Sequence, residues 1–176
     1  MKKQILIFIL LFATFFTFGQ TNHGDRLVGG TVSFGTQFVQ NNNNLLFLNL
    51  NPNYGKFIND NIAVGAAVGL NFQKQDDNSA TSISLLPFAR YYVGNSDVLQ
   101  FYGEVKAGYL FQRVNNTFSA ENNQGAQFNI GPGVAFFLSE NVSFDFQVNY
   151  QFVRIEEARN RSLSFNFGFQ VYLLAD

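Results

Sequence analysis

Charged residues make up only 13% of this chain, so the few that fall inside regular alternating patterns are the first candidates for chemistry. Arg90, Glu104, Lys106 and Asp145 share one phase of that alternation, whose other members are polar, small or aromatic. Two cations and two carboxylates on one face suit an ion-pair network, because a charge taken out of water needs a partner. Arg90 and Glu104 flank the turn signal Gly94 to Asp97 and are expected roughly diagonal on neighbouring strands, within side-chain reach. Asp145 is expected to meet Lys106 or Arg90. Catalytic groupings are poorly provided for. His23 is the single histidine and lies in a stretch expected to be flexible, so a Ser/His/Asp relay has no base. Without cysteine there is neither a disulfide framework nor a thiolate metal site. Glu156-Glu157 reads as solvent-facing loop charge, and Asn41 to Asn44 as a loop tract with no assigned sugar or calcium ligand. Gly29-Gly30 lies in a strand and not before a helix, which implies no phosphate loop. No catalytic residue, cofactor or metal is expected.

The elements that hold these charges are strands. From Arg161 to Leu173, Leu163, Phe165, Phe167, Phe169, Val171 and Leu173 fall on one face, and Ser162, Ser164, Asn166, Gly168 and Gln170 on the other. The first face has large rings and no charge. The second has small neutral groups where a water-facing strand would carry Lys and Glu. That suits a strand with lipid on one side and a narrow, wet interior on the other. Eight such segments run approximately 27–38, 45–56, 61–74, 81–93, 98–113, 125–138, 141–154 and 161–174. Asn59-Asp60-Asn61, Gly94-Asn95-Ser96-Asp97 and Ser139-Glu140-Asn141 are tight-turn signals. The connections between them, Gln40 to Asn44, Gln75 to Ala80, Asn115 to Gln124 and Ile155 to Asn160, are polar and expected to be longer. Pro52, Pro87 and Pro132 lie inside strands on the apolar phase, where a missing N–H needs explaining.

The chain has 23 Phe and 15 Gly, and after the first nineteen residues no run approaches a membrane helix of ~20 apolar residues. A Phe-rich exported chain then has one common membrane solution, a closed barrel, since in lipid every backbone group must find a partner within the protein. Export is read from the start: Met1-Lys2-Lys3 is basic, Ile5 to Phe12 is apolar, and Thr17-Phe18-Gly19 offers a cleavage site. Residues 1–19 are thus expected to be a signal peptide and residues 20–176 the barrel domain. The other reading, an N-terminal anchor, has a short apolar run for a spanning helix. Removing Lys2 and Lys3 leaves nine basic and twelve acidic residues, a net charge of −3, which does not suit nucleic acid. Phe47, Leu86, Phe88, Tyr92, Tyr102, Leu110, Phe137 and Tyr172 fall on the inward phase. An eight-stranded barrel has an interior just wide enough for its side chains, so no wide pore is expected.

This all-β pattern resembles the small eight-stranded antiparallel up-and-down transmembrane barrels of the OmpA transmembrane domain and OmpX type, within the outer-membrane β-barrel domain proteins. The likeness covers Leu27 to Leu174. Asn166-x-Gly168-x-x-Val171-x-Leu173 is similar to the carboxy-terminal assembly signal of that class, although the chain ends Leu174-Ala175-Asp176 without a terminal aromatic. The resemblance implies an integral outer-membrane, porin-like protein of a Gram-negative envelope, inserted by the barrel-assembly machinery, monomeric, with short turns in the periplasm. It also implies that the four interior charges can act as a switchable ion-pair gate; the alternative is a structural network that neutralises charges sealed inside. Lys74, Arg113, Arg154 and Arg161 fall on the outward phase at the extracellular strand ends. There they would meet lipopolysaccharide phosphates, or else simply snorkel to the headgroup level. Tyr54, Tyr91, Tyr109 and Tyr150 are outward too, as girdle or as plain apolar surface. The expected role is structural or interactive, without enzymatic activity. The alternatives are a narrow ion or solute channel and a soluble lipocalin-like carrier with the apolar face turned inward.

Overall fold

The computed structural model describes residues 21–37, 45–75, 78–94, 96, 98–115, 120–156 and 158–175. The expected signal segment 1–19, Phe38, the Asn41 to Asn44 tract and Glu157 lie outside them. The alternating segments form eight strands: β1 (Arg26–Gln37), β2 (Leu45–Asn59), β3 (Ile62–Gln75), β4 (Asn78–Val93), β5 (Leu99–Asn115), β6 (Ala120–Ser139), β7 (Val142–Ile155) and β8 (Ala158–Leu173). Each pairs antiparallel with the next, and β8 returns to β1 to close a barrel in chain order. Both β1 and β8 present their chain termini at the end that carries the β2–β3, β4–β5 and β6–β7 turns, hereafter the turn end; the opposite end is the loop end.

The apolar phase faces out. Leu163, Phe165, Phe167 and Phe169 are 45–65% exposed, whereas Asn166 and Gln170 on the opposite phase are at most 6% exposed. A carrier with its apolar face turned inward would show the reverse, so the lipocalin-like arrangement is ruled out.

Three expectations about connections are corrected. β3 runs to Gln75 and β4 starts at Asn78, while β7 runs to Ile155 and β8 starts at Ala158, leaving two-residue connections at the loop end. β6 likewise begins at Ala120, inside the stretch expected to be loop. Those residues are polar because the strands rise beyond the apolar band, not because the backbone leaves the sheet. At the turn end, Asn59 Oδ1 accepts from the N–H groups of Asn61 (2.9 Å) and Ile62 (2.7 Å), fixing the β2–β3 turn. Register shifts at Phe57/Asn59 and Phe137/Ser139 place bulges just before the β2–β3 and β6–β7 turns.

The prolines occupy matching niches. Pro52 pairs with Gly30 of β1 but has no partner on β3, where pairing lapses between Leu50–Leu70 and Asn53–Ala67. Pro87 lies in an equivalent lapse toward β5, between Leu85–Tyr109 and Phe88–Lys106, and Pro132 in one toward β7, between Ile130–Tyr150 and Gly133–Gln147. Each lapse resumes in the same register, so the missing donor costs a local gap and no bulge. Gly108 and Gly131 sit in two of these lapses; a Cβ there would strike the carbonyls of Leu85 and Val148.

The buried core fills the turn half of the barrel: Leu27, Phe57, Leu86, Phe88, Tyr92, Tyr102, Phe137 and Tyr172, with Ala63, Ala67 and Ala135 where space narrows. Phe47, nearer the loop end, is only half-buried. The segment before β1, expected to be flexible, is tied across this mouth. Gly24 N–H donates to Phe57 O (3.0 Å), and Phe57 N–H donates to Asp25 O (2.8 Å). The buried Asp25 carboxylate accepts from the N–H groups of Asn22 (2.8 Å) and Ala175 (2.9 Å), joining the segment before β1 to the one after β8. The Thr21 hydroxyl donates to Asp60 O, and His23, exposed, is held by its own N–H on Asp60 Oδ1 (2.9 Å).

Candidate functional site

Three strands bring the four interior charges together above the aromatic cluster. Arg90 comes from β4, Glu104 and Lys106 from β5, and Asp145 from β7; all four are at most 5% exposed. Arg90 and Glu104 are not diagonal: they face each other directly in the β4–β5 register. The Arg90 Nε and Nη2 groups both donate to Glu104 Oε2, at 2.9 and 2.8 Å. Nη1 reaches Asp145 Oδ2 at 3.2 Å and the Tyr92 hydroxyl at 3.0 Å. Lys106 Nζ lies 2.8 Å from Glu104 Oε1, and no contact joins it to Asp145 among the described residues. Gln147 donates to the same Glu104 oxygen at 2.9 Å, and Ser143 to Asp145 Oδ1 at 2.6 Å.

Two positive and two negative charges therefore balance inside the wall, and Glu104 is the hub, shared between both cations. The Arg90 guanidinium also lies 4.2 Å from the Tyr102 ring centroid, so the cation meets a π face as well as two carboxylates. Below it the rings close ranks: Phe57–Tyr92 centroids are 5.4 Å apart, Tyr92–Tyr102 5.6 Å and Phe137–Tyr172 5.1 Å. The Tyr92 and Tyr172 hydroxyls meet at 3.2 Å. Toward the loop end the interior changes character. A polar cavity of about 430 Å³ is lined by carboxamides and hydroxyls, among them Asn49, Ser82, Gln127, Asn149 and Asn166, with Lys106 in its wall.

The outward cations are not gathered into one cluster. Lys74, Arg113, Arg154 and Arg161 are all exposed, on β3, β5, β7 and β8. Arg113 Nε donates to Asn115 Oδ1 (3.3 Å), Arg154 Nε to the Glu156 carbonyl (3.4 Å), and Arg161 stands 6.0 Å from the Phe152 ring. Arg159 was missed by sequence reasoning. It pairs directly with Arg154, and its outward parity with Arg161 would have shown it, had the strand not been started after Asn160. Arg26, opposite Lys56 at the turn end, was missed because its strand was begun at Leu27, whereas Lys56 lay inside its strand on the outward phase and was passed over. Tyr54 and Tyr91 lie in the turn half of their strands and Tyr109 and Tyr150 in the loop half, all exposed. Glu156 sits in the β7–β8 turn with a positive φ of 51°. Among the described residues, no group of His, Asp and Glu could hold a metal.

Residues 6–170 match the family model described as outer membrane protein beta-barrel domain. The chain belongs to that family. Among curated proteins no match is found. Among solved structures, the barrel is similar to Neisserial surface protein A (TM-score 0.64, 15% identity, 84% of this chain and 96% of that one). It is similar too to the N-terminal β-barrel domain of Pseudomonas aeruginosa OprF (0.59, 15%, 87% and 100%) and to OprG of the same organism (0.56, 13%, 89% and 100%). At these identities the likeness is one of fold. This outer-membrane β-barrel protein is therefore integral to the outer membrane, its charge-free apolar wall in lipid.

Proposed function

We propose that this barrel has a structural and envelope-interaction role, contacting lipopolysaccharide phosphates through Lys74, Arg113, Arg154 and Arg161. Export through a signal peptide cut after Gly19, insertion by the barrel-assembly machinery and a monomeric state complete the reading, with the turn end in the periplasm. The observation that carries it is the placement of those cations at the loop-end margin of an apolar outer wall. Beneath Arg113, an outward depression of about 790 Å³ is lined by Leu48, Leu50, Leu70, Phe72, Ile83 and Phe111. Acyl chains can lie along such a groove while a phosphate meets the guanidinium at its rim. A second depression is not required, since the remaining cations reach the headgroup level by their own length.

The interior favours a structural network over a channel: the charges are mutually neutralised and the aromatic cluster stands across the axial path. The lone, exposed His23 fits a role without enzymatic chemistry. The test is to replace all four cations by Gln and measure lipopolysaccharide co-purifying with the folded barrel. Bound lipopolysaccharide should fall severalfold; unchanged content would refute the proposal.

A further inference from the structure

Among the described residues, the pairing that closes the barrel lies in the turn half. β1 and β8 are joined from Arg26–Leu173 to Val32–Phe167. Beyond that point, among the described residues, Ser33–Gln37 pair with β2 alone and the facing Ser162–Asn166 with β7 alone. Exposure follows the split. Along the inward phase of β8, Asn166 is buried, Ser164 half-buried, and Ser162 and Asn160 exposed. Val153, the register partner of Asn160 on β7, is by contrast buried. On the other lip, Phe34 is 77% exposed, more than any other large apolar side chain described.

Both lips of this split border the polar cavity: Ser33 on one side, Asn160, Ser162, Ser164 and Asn166 on the other, with Arg161 beside them. The outer surface of the same lip is cationic. Arg154 and Arg159 are directly opposed, Arg161 follows two residues on, and among the described residues none of the three has a carboxylate in ion-pair range. Like charges directly across a strand pair repel. A shared oxyanion turns that repulsion into charge-assisted hydrogen bonding, for which the guanidinium fork is shaped.

We propose that the split between β1 and β8 is a lateral opening, through which the net-anionic, phosphate-bearing sugar headgroup of an amphiphile in the surrounding leaflet enters the polar cavity. Its acyl chains stay outside, against Phe34, Leu163 and Phe165. The carboxamides and hydroxyls of the cavity offer donors and acceptors to a sugar-like headgroup, while Arg159 and Arg161 hold its phosphate at the sill. The inference rests on the outward cations being phosphate donors, and adds where the headgroup goes.

The chain has no cysteine, so single-cysteine variants report cleanly. Ser164→Cys faces the cavity and Leu163→Cys faces lipid. Each is coupled to a short diazirine thiol reagent, confirmed as folded by heat-modifiable migration, placed in lipid A nanodiscs and irradiated. Intact mass should show lipid A adducts at both positions. Adding Arg159→Gln and Arg161→Gln should lower the Ser164→Cys adduct about tenfold, the scale of lost charge-assisted hydrogen bonds. Phosphatidylcholine nanodiscs should give an adduct at Leu163→Cys alone. An adduct at Leu163→Cys without one at Ser164→Cys overturns lateral entry and leaves the outward-cation reading standing. Equal Ser164→Cys labelling in phosphatidylcholine overturns the preference for a phosphorylated anionic headgroup. No lipid A adduct at either position overturns both readings.

Discussion

Replacing Glu104 by Gln would leave Arg90 and Lys106 facing a single carboxylate, Asp145, inside a wall where all of these groups are at most 5% exposed. Glu104 accepts both Nε and Nη2 of Arg90, Lys106 Nζ and Gln147 Nε2, so one substitution weakens four interactions and unbalances the charge by one. Breaking a buried pair by removing one partner typically costs about 3–5 kcal/mol, most of it the penalty of an unpaired buried charge. If charge balance is the principal term, adding Lys106→Met to Glu104→Gln restores one cation to one carboxylate, with Arg90 still 3.2 Å from Asp145. The double variant should then be more stable than the single by about 1–2 kcal/mol, within the range of coupling between contacting residues. The chain has no tryptophan, so the convenient assay is the folded fraction by heat-modifiable gel migration across a urea series in vesicles. A Glu104→Gln loss below about 1 kcal/mol, or a double variant less stable than the single, would refute the reasoning.

Other outcomes follow from the same geometry. In planar bilayers the wild-type barrel should show no steady conductance, whereas Tyr92→Ala with Tyr172→Ala, which removes two rings of the plug, should open measurable steps. Ile130→Lys places a charge on the outer wall opposite Val105 and should cost about 2–4 kcal/mol in vesicle unfolding. Gly131→Ala should destabilise because its Cβ would strike the Val148 carbonyl, while Gly103→Ala, with nothing within 4 Å, should be near neutral by the same gel assay. Asp25→Ala should cost about 1–3 kcal/mol and speed amide exchange at Asn22 and Ala175, whose N–H groups it accepts.

Much of the fold was legible because alternation with period two is a strong signal when one face meets lipid and carries no charge. Strand identity and the outward set from Val28 to Leu173 follow from that alone. What alternation cannot give is where a strand stops. Polar residues such as Asn78 and Arg159 stay paired above the apolar band, so polarity was mistaken for loop, and Arg159 was lost from view. Phe57 was likewise missed as a plug residue because its strand was ended at Lys56, while Leu27, the first residue of its strand, was passed over on the inward phase. Register is the other missing quantity. Arg90 and Glu104 were placed as neighbours but read as diagonal, because a two-residue difference in register, which leaves both on the same face, separates a diagonal pair from a direct one. The lapses at Pro52, Pro87 and Pro132 and the half-paired β1–β8 seam depend on backbone geometry between strands far apart in sequence, which no local pattern encodes.

The most direct measurement is nitroxide scanning of residues 162–169 in bilayers, comparing collision with dissolved oxygen and with a water-soluble nickel chelate. Leu163, Phe165, Phe167 and Phe169 should favour oxygen and Ser164 and Asn166 should not, a clean period of two with its apolar maxima on the rings. The opposite phase, or a flat profile, would contradict a barrel whose phenylalanine face meets hydrocarbon.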